Sequence, residues 1–176
     1  MKEAAKRQEQ QKEDNFIILA EHQSGGIARN EQSWDSPDGG IYMTCMINRS
    51  LPLEMARKIP LYGILTVLQT LGESGVSSLG YRLPGDILIK ESKVGGILEE
   101  YHVRGDRICW YALGIGIHIN DSFKKKEQNG MTSVVDKTGI QLMRKDFMHH
   151  FRENWKKALL LKSDEIESEL KQYKLK

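Results

Sequence analysis

The sequence is poor in residues that cross-link a chain or carry it through a membrane. Only two of its 176 residues are cysteines, Cys45 and Cys109, which excludes a disulfide framework and a zinc-finger spacing. Apolar runs are short, such as Phe16 to Ala20 and Ala158 to Leu161, whereas a membrane-spanning helix needs roughly 20 such residues. No membrane partner is therefore expected. The first 14 residues are polar and charged, so no secretory leader is expected. Charge is nearly balanced, with 26 basic against 24 acidic residues. The basic excess of a dedicated nucleic-acid binder is missing, so no nucleic-acid partner is expected. Walker loop, nucleophile elbow, His-Glu-x-x-His and Cys-x-x-Cys motifs are absent, and no residue is assigned to a metal. A reducing cytoplasm is the expected compartment.

The residues present suggest one domain with charged ends. Residues 1–13 are helix formers without a wide apolar stripe, as in a solvated terminal helix. Phe16 to Ala20 reads as a buried strand, His22 to Gln32 as a loop, and Ser36 to Gly40 as a turn before a strand over Ile41 to Ile47. From Glu54 to Leu71 apolar residues recur at helical spacing. Pro60 either kinks that helix or starts its main part, and Gly72 and Gly75 close it. Ile87 to Lys90, Val94 to Val103 and Ile108 to Ile119 read as an antiparallel meander, with Arg104-Gly105-Asp106 as a tight turn. Residues 121–139, with Lys124-Lys125-Lys126 and Asn129-Gly130, read as a loop. Ile140, Met143, Phe147, Phe151, Trp155 and Leu159 predict a long amphipathic helix, continued through 162–176 by charged residues. The class is α+β.

Three stretches place glycine where a generic core would place side chains. Gln23 to Arg29, leading to Trp34 and Gly40, can close over a small ligand and offer backbone N–H groups and one arginine to an anion. In Lys93-Val94-Gly95-Gly96-Ile97-Leu98 a lysine stands beside a glycine pair, where a ligand can approach backbone closely and meet a point charge. In Gly114-Ile115-Gly116-Ile117-His118-Ile119-Asn120 the alternation leaves one strand face bare, suited to a flat ligand. His118 is either a strand histidine near that ligand or a satisfied structural one. Taken alone, the glycine loop and Lys93 are more often an ordinary loop and an exposed strand end.

Together and in this order, the stretches resemble the catalytic domain of a biotin protein ligase. The family pattern Q-x-x-G-R-G-R followed by W-x-S-P-x-G-G-x-Y is met by Gln23, Gly26, Arg29, Trp34, Ser36, Pro37, Gly39, Gly40 and Tyr42. K-W-P-N-D-I is represented by Arg82-Leu83-Pro84-Gly85-Asp86-Ile87, K-x-x-G-I-L by Lys93 to Leu98, and G-I-G-I-N-x-N by Gly114 to Asn120. The departures are Arg82 for Lys, Gly85 for Asn, His118 for the first Asn, and the loss of most loop arginines. The family's S-T-N motif, which binds biotin, would fall at or before Met1.

The resemblance implies a mixed, mostly antiparallel central sheet flanked by helices, similar to class II aminoacyl-tRNA synthetases. It implies one catalytic domain over residues 1–176, without an N-terminal DNA-binding domain or a small C-terminal β domain. It implies biotin, ATP and Mg²⁺, with biotinyl-5′-AMP formed and its biotin passed to a lysine of the biotin carboxyl carrier protein of acetyl-CoA carboxylase. Lys93 and Arg29 would be catalytic. Gln23, Gly26, Ile27, Ala28, Arg29, Lys93, Gly96 and Gly114 would bind biotin. Arg29, Trp34, Gly85, Asp86, Lys93, His118 and Asn120 would bind the nucleotide. A homodimer through the sheet edge is a further expectation. The rival readings are a lipoate or octanoate ligase or transferase of the same fold, and a degenerate non-catalytic binding domain.

Overall fold

The computed structural model describes residues 1–10, 15–122 and 130–174. The predicted Lys124 to Lys126 run and Asn129 lie outside the described residues. The elements are α1 (Lys2–Gln10), β1 (Asn15–Ala20), β2 (Ile41–Ile47), β3 (Leu51–Pro52), α2 (Ile59–Glu73), β4 (Leu79–Arg82), β5 (Asp86–Ile89), β6 (Ser92–Arg104), β7 (Arg107–Ile117), α3 (Val134–Thr138), α4 (Arg144–Ala158) and α5 (Ser163–Leu170). The sheet runs β1-β2-β7-β6-β5-β4, with β3 also paired to β7. Every adjacent pair is antiparallel.

Side-chain alternation divides the sheet into two faces. Ile41, Met43, Cys45 and Ile47 of β2, and Leu113, Ile115 and Ile117 of β7, join the main core with α2, α4 and α5. The opposite face carries Gly114 and Gly116, and there Ala4 of α1 packs on Met46 and Ala112. The terminal helix is thus not merely solvated, since Ala4 is 1% exposed.

Helix α2 is apolar on nearly all sides and lies between the sheet and α4. Pro60 sits in its first turn, where a missing N–H costs nothing, so it starts the helix rather than kinking it. Residues Leu53–Arg57 form a separate 3-10 turn. The helix ends at Gly75, whose φ of 85° suits a left-handed cap. Gly75 and Val76 donate to the carbonyls of Gly72 and Leu71, satisfying two terminal acceptors. The Thr66 and Thr70 hydroxyls are buried but donate to carbonyls one turn back. Burial pushes the Cys45 thiol above its usual range.

Several expectations need correction. β1 is an edge strand and half-exposed, not buried, because it pairs on one side only. β4, Leu79–Arg82, carries too little pattern to be read from sequence, being a four-residue strand with glycine in it. α4 begins only at Arg144, leaving Ile140 and Met143 outside it, and α5 is a separate helix. The chain breaks between them, and the Glu165 carboxylate accepts from the Lys162 N–H to start α5 anew. Within 121–139, Val134–Thr138 forms a short helix capped by the Ser133 hydroxyl, which accepts from Asp136 N–H.

Two substitutions test this packing. Phe151, fully buried and stacked between Phe147 and Trp155, should cost about 3–5 kcal/mol as Phe151→Ala, read as a lower urea midpoint at unchanged slope. A Cβ at Gly85 would stand 2.5 Å from the Ile97 carbonyl oxygen. Gly85→Asn, which restores the family's residue, should therefore lower stability by about 1–3 kcal/mol rather than improve it. A thermal midpoint equal to or above that of the parent would contradict the close approach.

Candidate functional site

A cavity of about 760 Å³ opens on the glycine face of the sheet. Its floor is Gly96 and Gly114, and its lid is the loop between β1 and β2. The lid is a tight hairpin: Ile27 and Ser33 form a bridge, Ala28 N–H donates to Gln32 O, and Trp34 N–H donates to Gly26 O. Asn30 and Glu31 at its tip both have positive φ, 57° and 58°. At Glu31 a side chain occupies a conformation that glycine adopts more easily. Gly26 has no room for a Cβ, which would meet Trp34 O at 2.6 Å and the Gln23 and Ser36 side chains at 2.9 Å. The Ser36 hydroxyl donates to Gln23 Oε1 at 2.8 Å and so holds the glutamine at the lid's base.

The charged centre is built on Asp86 of β5. Arg29 donates to Asp86 Oδ1 at 2.5 Å, and Lys93 Nζ lies 2.8 Å from the same oxygen. Arg82 stands farther off, 4.0 Å from Oδ2. Strict alternation would put Lys93 and Gly96 on opposite faces. The β5–β6 register shifts between Ile87 and Leu88, so that Ile87 faces Gly95 while Leu88 faces Lys93. This bulge turns Lys93 onto the cavity face, where its Cε would be 3.7 Å from a Cβ on Gly96.

Trp34 lies on the bare backbone of β6 and β7. A Cβ at Gly116 would stand 2.7 Å from the indole nitrogen, and one at Gly96 would stand 3.2 Å from the ring. Lys93 Nζ is 5.6 Å from the indole centroid, a cation–π distance. Gly96 and Gly116 therefore accommodate Trp34, and Gly114 accommodates Met1, whose sulfur would stand 3.1 Å from a Cβ there.

Nine of the residues singled out from sequence line the cavity: Gln23, Gly26, Ile27, Ala28, Arg29, Trp34, Lys93, Gly96 and Gly114. Four do not. Asp86 is behind the cations as their shared partner. Gly85 packs on the Ile97 backbone. Asn120 brackets Leu142, donating to its carbonyl and accepting from its N–H. His118 is fully buried and bonded to Asp121. Sequence reasoning missed the lining residues Glu31, Thr44, Glu99 and Glu100, which carry no motif signal. It also missed Asp121, whose signal was its place three residues after His118. Among the described residues no group of three or more His, Cys, Asp or Glu side chains could hold a metal ion, and no helix is long and apolar enough to cross a membrane.

Comparison with known proteins agrees with this architecture. The sequence pattern of the Biotin/lipoate A/B protein ligase family matches residues 2–120. The bifunctional ligase/repressor BirA of Bacillus spizizenii is 28% identical over 141 residues, covering 78% of this chain and 43% of that protein. A biotin–[acetyl-CoA-carboxylase] ligase of Paracoccus denitrificans is 27% identical over 104 residues, covering 58% of this chain and 43% of that protein. The chain thus spans less than half the length of these relatives. Among solved structures, the biotin protein ligase of Leishmania major in complex with biotinyl-5-AMP superposes with a TM-score of 0.76 at 17% identity, covering 98% of this chain and 76% of that one. The biotin protein ligase of Aquifex aeolicus in complex with biotin and ATP gives 0.71 at 24% identity, covering 90% of this chain and 68% of that one. With the family pattern spanning residues 2–120, most of the chain, the chain belongs to the Biotin/lipoate A/B protein ligase family.

Proposed function

We propose that this chain activates biotin with ATP, forming biotinyl-5′-AMP and pyrophosphate, and then transfers biotin to a lysine of a biotin carboxyl carrier domain. The observation that carries the reading is the pair of cations, Arg29 and Lys93, gathered on one Asp86 oxygen at the edge of a glycine-floored cavity. Relatives named as biotin ligases, and similar folds solved with biotin, ATP and biotinyl-5-AMP, support the choice of substrates.

In the first step a biotin carboxylate oxygen attacks the α-phosphorus, and the bond to the bridging oxygen of pyrophosphate breaks. Two anions must approach, and negative charge builds on the α-phosphoryl oxygens. Lys93 serves as the point charge between carboxylate and α-phosphate, and Arg29 clamps the phosphoryl group from the lid. Gln23 and the backbone of Gly26 to Arg29 hold biotin against Gly96 and Gly114. Trp34 borders the nucleotide half. In the second step the carrier lysine's amine attacks the acyl carbon, AMP leaves with the anhydride oxygen, and the amine loses a proton. Mg²⁺ would arrive with the triphosphate of ATP.

Two further parts of the reading are proposals as well. A reducing compartment suits the two unpaired cysteines, Cys45 and Cys109. A homodimer would suit β6, which runs past β5 so that its outer edge beyond Ile97 has no strand partner among the described residues.

Pyrophosphate release from Mg·ATP should depend on biotin and not on lipoate, and a carrier domain should then gain one biotin by mass. Release with lipoate alone would shift the assignment to lipoate ligation. Release with neither acid would leave a binding domain. Lys93→Ala should lower the rate of adenylate formation by at least about 100-fold, comparable to loss of one charge-stabilising group, at unchanged thermal midpoint. Undiminished turnover would remove Lys93 from its role.

A further inference from the structure

Trp34 joins the parts of the site to one another. Its backbone N–H closes the base of the lid on Gly26 O at 2.9 Å. Its ring covers Gly116 and Gly96 and stands beside Lys93. The indole nitrogen is buried and has no hydrogen-bond partner among the described residues. Ring packing therefore fixes the indole in place of a hydrogen bond. The ring stacked on it belongs to His118, with centroids 5.2 Å apart and planes inclined by 20°.

His118 is itself held on several sides. Its Nδ1–H donates to Asp121 Oδ2 at 2.5 Å, and its backbone N–H donates to Val94 O at 2.8 Å. The Tyr42 ring meets it edge-on at 6.5 Å. Burial first, then the Asp121 and Asp35 carboxylates, push the Tyr42 phenol above its ordinary range, so it stays a neutral ring. Its hydroxyl donates to Pro37 O at 2.8 Å. The His118 side chain is 0% exposed and that of Asp121 only 4%. The imidazole has no accessible surface, and its ring meets the indole of Trp34, which lines the cavity. Asp121 engages Nδ1 and leaves the ring face to the indole. The stack on the one residue that ties lid, floor and Lys93 together gives it a second task.

We propose that His118 is a positioning residue for the nucleotide half of the site. Asp121 orients the imidazole, the imidazole orients the Trp34 ring, and that ring borders the nucleotide half of the cavity over Gly116. This inference rests on the adenylation reading above for its kinetic consequence. Its geometric claim stands without it.

The test uses the whole chain with two substitutions, His118→Asn, which removes the ring, and Asp121→Asn, which keeps the size and removes the charge. The first readout needs no substrate. Acrylamide quenching of Trp34 emission is taken as the difference between each protein and the same protein carrying Trp34→Phe. Both substitutions should raise the quenching and shift the Trp34 emission to the red, His118→Asn more strongly. The second readout is steady-state adenylate formation. The KM for ATP should rise about three- to tenfold, the worth of one aromatic stack, while kcat and the KM for biotin stay near those of the parent. Unchanged Trp34 quenching in both variants would overturn the proposal. So would equal loss at both substrates together with a fall in kcat, the signature of general structural damage. Should His118→Asn fail to fold, Asp121→Asn carries both readouts. Should the parent form no adenylate, the adenylation reading fails and the quenching result alone decides the positioning claim.

Discussion

The site depends on one carboxylate. Asp86, with its side chain 12% exposed, draws Arg29 from the lid and Lys93 from β6 to a single oxygen. With Arg82 4.0 Å from the other oxygen, three cations meet this one anion and leave an excess of positive charge at that point of the cavity edge. That charge is fixed before any ligand arrives, so little reorganisation is needed when anionic groups approach each other there. The ion pairs also tie the lid to the sheet, because Arg29 connects the hairpin tip to β5. Their contribution to stability is modest, since Arg29 is 38% exposed and solvent screens it. Their contribution to geometry is larger.

The sheet serves this centre by dividing its residues. Alternation along β7 sends Leu113, Ile115 and Ile117 into the helical layer and leaves Gly114 and Gly116 on the other face. One strand thus supplies core volume on one face and, on the other, room for Met1 and Trp34 to lie against its backbone. The bulge in β6 then breaks the alternation at the one place where a charged side chain has to share a face with Gly96. On that floor the indole of Trp34 and the open cavity lie side by side. The lid is consequently held from two directions, by charge at Arg29 and by ring packing at Trp34.

Much of this was legible in the sequence, for physical reasons that can be named. Ile41–Ile47 was readable as a strand because its apolar run is bounded by Gly39-Gly40, and it is buried throughout. The lid, Lys93 and the glycine floor were legible because glycine inside regular structure marks close approach. Asp86 is legible through its motif, but its part as shared partner of cations is not, because Arg29 is 57 residues away in the chain. The bulge was hidden because only a register shift, and no residue type, produces it. α4 and α5 merged in the sequence because neither glycine nor proline stands between them. His118 could have been a ligand-side or a structural histidine. Only the fold shows that it is buried and at the same time stacked on a residue of the site.

The central claim is that cations gathered on Asp86 serve the joining of a carboxylate to an α-phosphate. The most direct measurement is mass analysis of the small molecules released by acid quench from the protein incubated with biotin and Mg·ATP in the absence of carrier. The account predicts a species with the mass of biotinyl-5′-AMP, formed in proportion to protein and absent when biotin is omitted. Folded protein that yields AMP or ADP without that mixed anhydride, or yields nothing at saturating biotin and ATP, would contradict it.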